Sequence, residues 1–177
     1  PHELNEFLDN YSLGQLQQFS GISNGIENTN YFVTTSKGQY VLTMFEQLTL
    51  DDLPYFLELM AFFSEANIPT AHPIADSQNE YIRILNGKPA ALVKRLNGVS
   101  IDIANVKQCQ EIGIQMAKMH LSSKQFKFSR EASRNEDWRI QTSKLVMPKL
   151  NKDEQVLLNR ELNYIKTTKV GDLHTSV

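Results

Sequence analysis

Apolar residues recur along this chain first at strand spacing and then at helix spacing, and the change falls near Gly98. Residues 3–10 (ELNEFLDN) set Leu4, Phe7 and Leu8 on one side of a short helix. Residues 16–22 read as a first strand. Residues 30–35 and 39–46 alternate and are joined by Ser36-Lys37-Gly38, which predicts a β-hairpin. In its second arm, Tyr40, Leu42 and Met44 alternate with Val41, Thr43 and Phe45. Both faces are largely apolar, so this strand belongs inside a sheet rather than at its edge. Helical spacing takes over from Asp51, with Leu53, Phe56, Leu57, Met60 and Phe63 in register. Thr49 and Asp52 have capping-box spacing, Pro54 sits in the first turn where a missing N–H is harmless, and the stop is expected near Asn67. Three short strands follow at residues 73–75, 81–85 and 90–95, the last two joined by Asn86-Gly87, a strong hairpin turn. Residues 101–121 predict a long helix with Asp102 near its start and Ile103, Val106, Gly113, Met116 and His120 on one side. A connection bearing Phe126, Phe128 and Trp138 leads to helices over 138–145 and 152–166. The chain is therefore read as α+β, strand-rich with one helix over 1–97 and helical over 98–177.

Composition narrows the function. The 177 residues are 41% apolar, enough for a core in one sizeable domain or two small lobes. A net charge of −2 without a long basic block gives no electrostatic case for nucleic acid or an anionic membrane. The single cysteine, Cys109, cannot close an internal disulfide. No run is long enough to span a bilayer and no signal peptide is present, so a cytoplasmic protein is expected. The chain opens on Pro1 and closes on GDLHTSV, and both ends read as cuts in a longer polypeptide.

The candidate chemistry sits in loops. Ser23, Asn24, Gly25, Asn28 and Asn30 form a polar, glycine-bearing stretch before the hairpin. Its amides and side chains suit phosphate, because glycine lets backbone come close; equally, Asn and Gly are ordinary turn residues. No Walker-type G-x-x-x-x-G-K-[ST] occurs. The 92–98 segment, with Val93, Lys94 and Arg95, joins the strand-rich and helical parts. It can offer extended backbone to an adenine edge, or serve only as a connection. The four histidines and Cys109 lack metal-ligand spacing, so no protein metal site is expected; His120 and Cys109 read as packed helix residues. Asp172-Leu173-His174 imitates a catalytic aspartate loop, but a surface turn is the plainer reading.

These residues carry a family likeness. GIENTNYFV followed by YVLTMFE and DLPYFL, then GKPAALV and the helix ending AKMH, closely resemble bacterial homoserine kinase of the aminoglycoside-phosphotransferase-like type, over nearly the whole chain. The resemblance implies a protein-kinase-like fold: a five-stranded antiparallel nucleotide-facing lobe with one αC-like helix (1–97), then the first helices of a helical lobe (98–177). It implies transfer of the γ-phosphoryl group of MgATP to L-homoserine, a step in threonine synthesis. The loop from Ser23 to Asn30 would cover the nucleotide, and the hinge from Val93 to Leu96, with Lys94 and Arg95, would face adenine. The strand lysine that usually pairs with the phosphates is replaced by Thr43, as is typical of this family, which moves the charge to loop amides and magnesium. Without that lysine Glu58, on the αC-like helix, is given no catalytic role.

One part of the likeness is missing. The family's catalytic loop, I-H-A-D-L-(x)-(x)-D-N, and its metal-binding I-D-F do not occur in these residues. The catalytic aspartate and the magnesium ligands are therefore expected beyond Val177. The chain alone is expected to be inactive, and the apolar faces of the 101–121 and 152–166 helices to be exposed and prone to self-association. Competing readings are another small-molecule kinase of the superfamily, acting on an aminoglycoside, choline or a sugar, a non-catalytic nucleotide-binding module, or a plain α+β structural domain.

Overall fold

In the computed structural model, which describes residues 2–23 and 26–167, the alternating segments become three consecutive antiparallel strands: β1 (Leu16–Ile22), β2 (Asn28–Thr35) and β3 (Gly38–Phe45). Two further strands, β4 (Arg83–Leu85) and β5 (Lys88–Lys94), complete one antiparallel sheet in the order β1-β2-β3-β5-β4. The doubly apolar strand is the central one, as its pattern predicts. At the β4–β5 turn Asn86 and Gly87 both have positive φ (51° and 74°), the backbone that a two-residue hairpin of matching twist requires.

One sheet face is closed by α1 (His2–Leu8). Leu4, Phe7, Leu8 and Tyr11 form a single buried cluster with Val33, Tyr40, Leu42, Met44, Leu85, Ala90 and Leu92. Burial of such side chains is worth roughly 1.5–3 kcal/mol each, so this cluster is the main stabiliser of the sheet. Asp76 fastens its margin. Its wholly buried carboxylate accepts N–H groups from Gln78 (2.7 Å) and Glu80 (2.9 Å) and pairs with the Arg83 guanidinium.

Helix α2 (Leu53–Glu65) buries Leu53, Leu57, Ala61 and Phe63, with Pro54 in its first turn. The expected capping box is not formed. The Thr49 hydroxyl donates to the Asp52 carboxylate (2.9 Å), and the Asp52 side chain makes no capping bond to a helix amide. The helix ends where predicted, in a Schellman arrangement: Asn67 takes φ 59°, Ile68 N–H reaches Phe63 O (2.9 Å) and Asn67 N–H reaches Ser64 O (3.1 Å). Residues 73–75 do not form the expected strand. Pro73 lacks an N–H to donate and makes only an isolated bridge to Val93.

Helix α3 (Val106–Ser123) begins later than the pattern suggests, because Asn105 and Gln108, not Asp102, make the reciprocal cap. The chain divides into two compact units, 1–128 and 129–177, so α3 belongs with the sheet. The second unit contains α4 (Glu136–Val146), a 3₁₀ turn (Met147–Lys149) and α5 (Lys152–Thr167). On α3 only Ser123 is buried; Val106, Ile112, Met116 and Leu121 are exposed, as are Val156, Leu157 and Tyr164 on α5. His120 and Cys109 are exposed too, not packed as expected, since the face their spacing marks out is uncovered here. Among the described residues no helix is long and apolar enough to cross a membrane.

Candidate functional site

The face of the sheet turned away from α1 is the candidate site. Strand register lays two rows of side chains across it. Ser20, Phe32, Val41 and Val93 form one row; Ile22, Asn30, Thr43 and Ala91 form the next. Ala91 is buried, while Phe32, Val41, Val93, Asn30 and Thr43 are half-buried. The result is a mainly apolar floor with one polar pair set into it. The Thr43 hydroxyl donates to Asn30 Oδ1 at 2.7 Å, and Asn30 Nδ2 donates to the Asn28 carbonyl at 3.4 Å.

Neighbouring charges are already engaged. At the end of β3, Glu46 accepts from Lys88 and from the Thr29 hydroxyl (2.7 Å), and these two bonds hold its carboxyl below the usual range. At the other end of the floor the Arg95 guanidinium lies 4.1 Å above the Phe32 ring.

Hydrogen-bond accounting refines the 93–95 expectation. The Lys94 N–H is spent on His72 O (2.9 Å) and the Arg95 N–H on Gln39 O (3.1 Å). Leu96 is the first residue past β5 whose N–H makes no hydrogen bond among the described residues. An amide donor for a ligand edge is therefore offered by Leu96, the last residue of the expected hinge.

The structure brings Asn30, Thr43 and Val93 onto one face. Ser23 lies exposed just past β1, and Asn28 is not in the loop but opens β2, paired with Phe45. Asn24 and Gly25 lie outside the described residues, as does the Asp172–His174 segment. Sequence reasoning does not mark Phe32, Val41 or Ala91 as site residues. Phe32 and Val41 could have been marked, since they stand two positions from Asn30 and Thr43 on paired strands.

A second concavity of about 350 Å³ in the same unit is lined by Glu58, Phe62, Glu65, Tyr81, Phe126 and Phe128, among others. Burial, followed by Glu58 and Glu65, pushes the Tyr81 hydroxyl up. Glu58 thus has Tyr81 as an electrostatic neighbour. In the second unit α4 and α5 enclose a groove of about 270 Å³ with Trp138, Val146, Leu158 and Ile165 in its walls. No cluster of three or more His, Cys, Asp or Glu side chains able to hold a metal occurs among the described residues.

Comparison with known proteins sets this geometry in context. The sequence profile of a phosphotransferase enzyme family matches residues 18–174. The homoserine kinase of Methylobacillus flagellatus is 41% identical over 165 residues, covering 93% of this chain and 52% of that protein. That of Paraburkholderia xenovorans is 38% identical over 162 residues, covering 92% and 49%. The chain spans about half the length of the curated relatives it matches. A solved amicoumacin kinase, hAmiN, in complex with AMP-PNP, Ca2+ and Ami, superposes with a TM-score of 0.69 at 15% identity, covering 94% of this chain and 57% of that one. At that identity the likeness concerns the fold alone, and it bears out the expected α+β architecture of kinase-like phosphotransferases.

Proposed function

The chain belongs to the phosphotransferase enzyme family, and from that membership we propose that it is the nucleotide-holding part of an ATP-dependent homoserine kinase of threonine synthesis. The observation that carries this reading is 41% identity to a homoserine kinase across 93% of the chain. Residues 1–97 take the part of the nucleotide-facing lobe and 98–177 that of the first helices of the helical lobe.

In this reading adenine lies across Val41, Ala91 and Val93. Its edge meets the 93–95 backbone carbonyls and the Leu96 N–H. The phosphates run toward Ser23, Asn24, Gly25, Asn28, Asn30 and Thr43. The flat apolar floor excludes water from the base, and the polar pair fixes where the phosphate chain begins. Phosphoryl transfer depends chiefly on such positioning. The homoserine hydroxyl oxygen bonds to the γ-phosphorus, the bond to the β–γ bridging oxygen breaks, ADP leaves, and the hydroxyl proton passes to a base. No residue of 1–177 is assigned as that base.

The nucleotide and Ca2+ held by the amicoumacin kinase support a triphosphate with a divalent cation, and magnesium is the cation proposed here. The described residues offer no cluster of three or more acidic, His or Cys side chains to hold it. Cytoplasmic location, and self-association through the exposed faces of α3 and α5, belong to the same proposal.

A coupled ADP-release assay on the full-length gene product tests the reading. L-homoserine should support turnover on the order of 1–100 per second, with choline and aminoglycosides far slower. The 177-residue chain alone should give negligible turnover. Faster turnover of choline or an aminoglycoside would move the substrate, and kinase-level turnover by the chain alone would place the base within it.

A further inference from the structure

We propose that Thr43 is a positioning residue that holds the Asn30 carboxamide in one orientation, so that a neutral N–H, not a cation, meets the nucleotide's phosphate chain on this face. The inference rests on the nucleotide-binding reading above and names the group it requires.

Kinase-like folds usually place a lysine on this strand to pair with the α- and β-phosphates. Thr43 occupies that place, and its hydroxyl is too short to do the same work. Its proton is also committed, to Asn30 Oδ1 at 2.7 Å. The direction of that bond is fixed by chemistry. The Asn28 carbonyl beside the amide can only accept, so the amide nitrogen faces Asn28 and the oxygen faces Thr43, whose hydroxyl must donate. One Nδ2 hydrogen points to Asn28 O at a long 3.4 Å, and the second has no acceptor among the described residues. That is a donor held ready where β2 meets the cover loop.

The setting preserves it. Asn30 and Thr43 are register partners, half-buried between Ile22 and Ala91 in the same row. Thr43 is β-branched, so its hydroxyl has few rotamers to lose. Nearby cations are engaged elsewhere: Lys88 with Glu46, and Arg95 over Phe32 in the adjoining row.

Calorimetric titration with ATP and with adenosine tests this. Thr43→Val, which keeps shape and strand propensity, should weaken ATP binding about tenfold, the effect of losing one well-placed hydrogen bond. Thr43→Ser should restore it to within about twofold of the parent chain. Asn30→Asp keeps the acceptor Thr43 needs but loses the donor, and should weaken ATP at least as much as Thr43→Val; it carries the test should Thr43→Val not fold. Adenosine affinity should be unchanged in all three. Thr43→Val binding ATP like the parent chain, or losing ATP and adenosine affinity together, would overturn the positioning role while leaving nucleotide binding intact. A parent chain with no saturable ATP binding would overturn the kinase reading and this inference with it.

Discussion

Asp76 shows how much a single side chain holds in this fold. Its carboxylate is wholly buried, and burial alone would raise its pKa. The N–H groups of Glu80 and Gln78 and the Arg83 guanidinium outweigh that, and the net shift is downward. A carboxyl whose folded pKa lies below its unfolded value contributes stability above about pH 4, and loses that contribution as pH falls through the depressed folded value. Asp76→Asn should cost about 1.5–3 kcal/mol at neutral pH, the range for a hydrogen bond to a charged group, because it removes the charge that Arg83, which keeps partial contact with solvent, is paired with. It should also flatten the decline of stability with acid below about pH 4. Urea unfolding of both chains across that range measures both effects. A variant as stable as the parent chain would mean that backbone bonds to the side chain, not its charge, hold the 76–83 turn. Tyr11 stands close by. Its buried hydroxyl has no hydrogen-bond partner among the described residues, and burial, then Asp76, push it up to about 12, so it stays protonated.

Elements differ in how they are held. The strands rest on a shared core, whereas α3 has only Ser123 buried and leans on its Asn105–Gln108 cap. Removing that cap with Asn105→Ala should cost about 1 kcal/mol locally, raising amide exchange over residues 106–110 about fivefold while the sheet is unaffected. Asn105→Asp, which still accepts, should restore protection. Equal exchange in the alanine variant would show that tertiary contacts hold this terminus. Legibility in the sequence follows the same division. The hairpin, the Asn86-Gly87 turn and the stop at Asn67 were readable because each is set by residues adjacent in the chain. The start of α3 is not legible because Asp102 and Asn105 both suit a cap and only Asn105 closes the bond. Residues 73–75 look like a strand because they are apolar, but Pro73 limits them to a bridge. In the site, Asn30 and Thr43 could be named from motif. The spent amides of Lys94 and Arg95 could not, since their acceptors, His72 and Gln39, are distant in sequence.

At the scale of the whole chain, the sheet and α1–α3 form one compact unit and α4 with α5 another. The floor residues, Asn28, Asn30 and Leu96 all belong to the first. A ligand that binds there and not to the unfolded chain stabilises that unit by mass action, by about 2.7 kcal/mol at a hundredfold excess over its dissociation constant. Amides of β1, β2, β3 and β5 that exchange through global opening of the unit should then slow about a hundredfold on adding ATP. Amides of α4 and α5 that open locally should not respond. Adenosine at the same saturation should protect β3 and β5, which carry the apolar floor, but leave residues 28–30 less protected than ATP does, because those residues face the phosphates in this reading. Hydrogen-exchange mass spectrometry resolves these segments. Uniform slowing across both units would place binding elsewhere or require the two to open together. Protection confined to α4 and α5 would move the ligand to the Trp138 groove. Only protection graded from floor to loop, and dependent on phosphate, matches a nucleotide lying along the two cross-strand rows with its charge directed at Asn30.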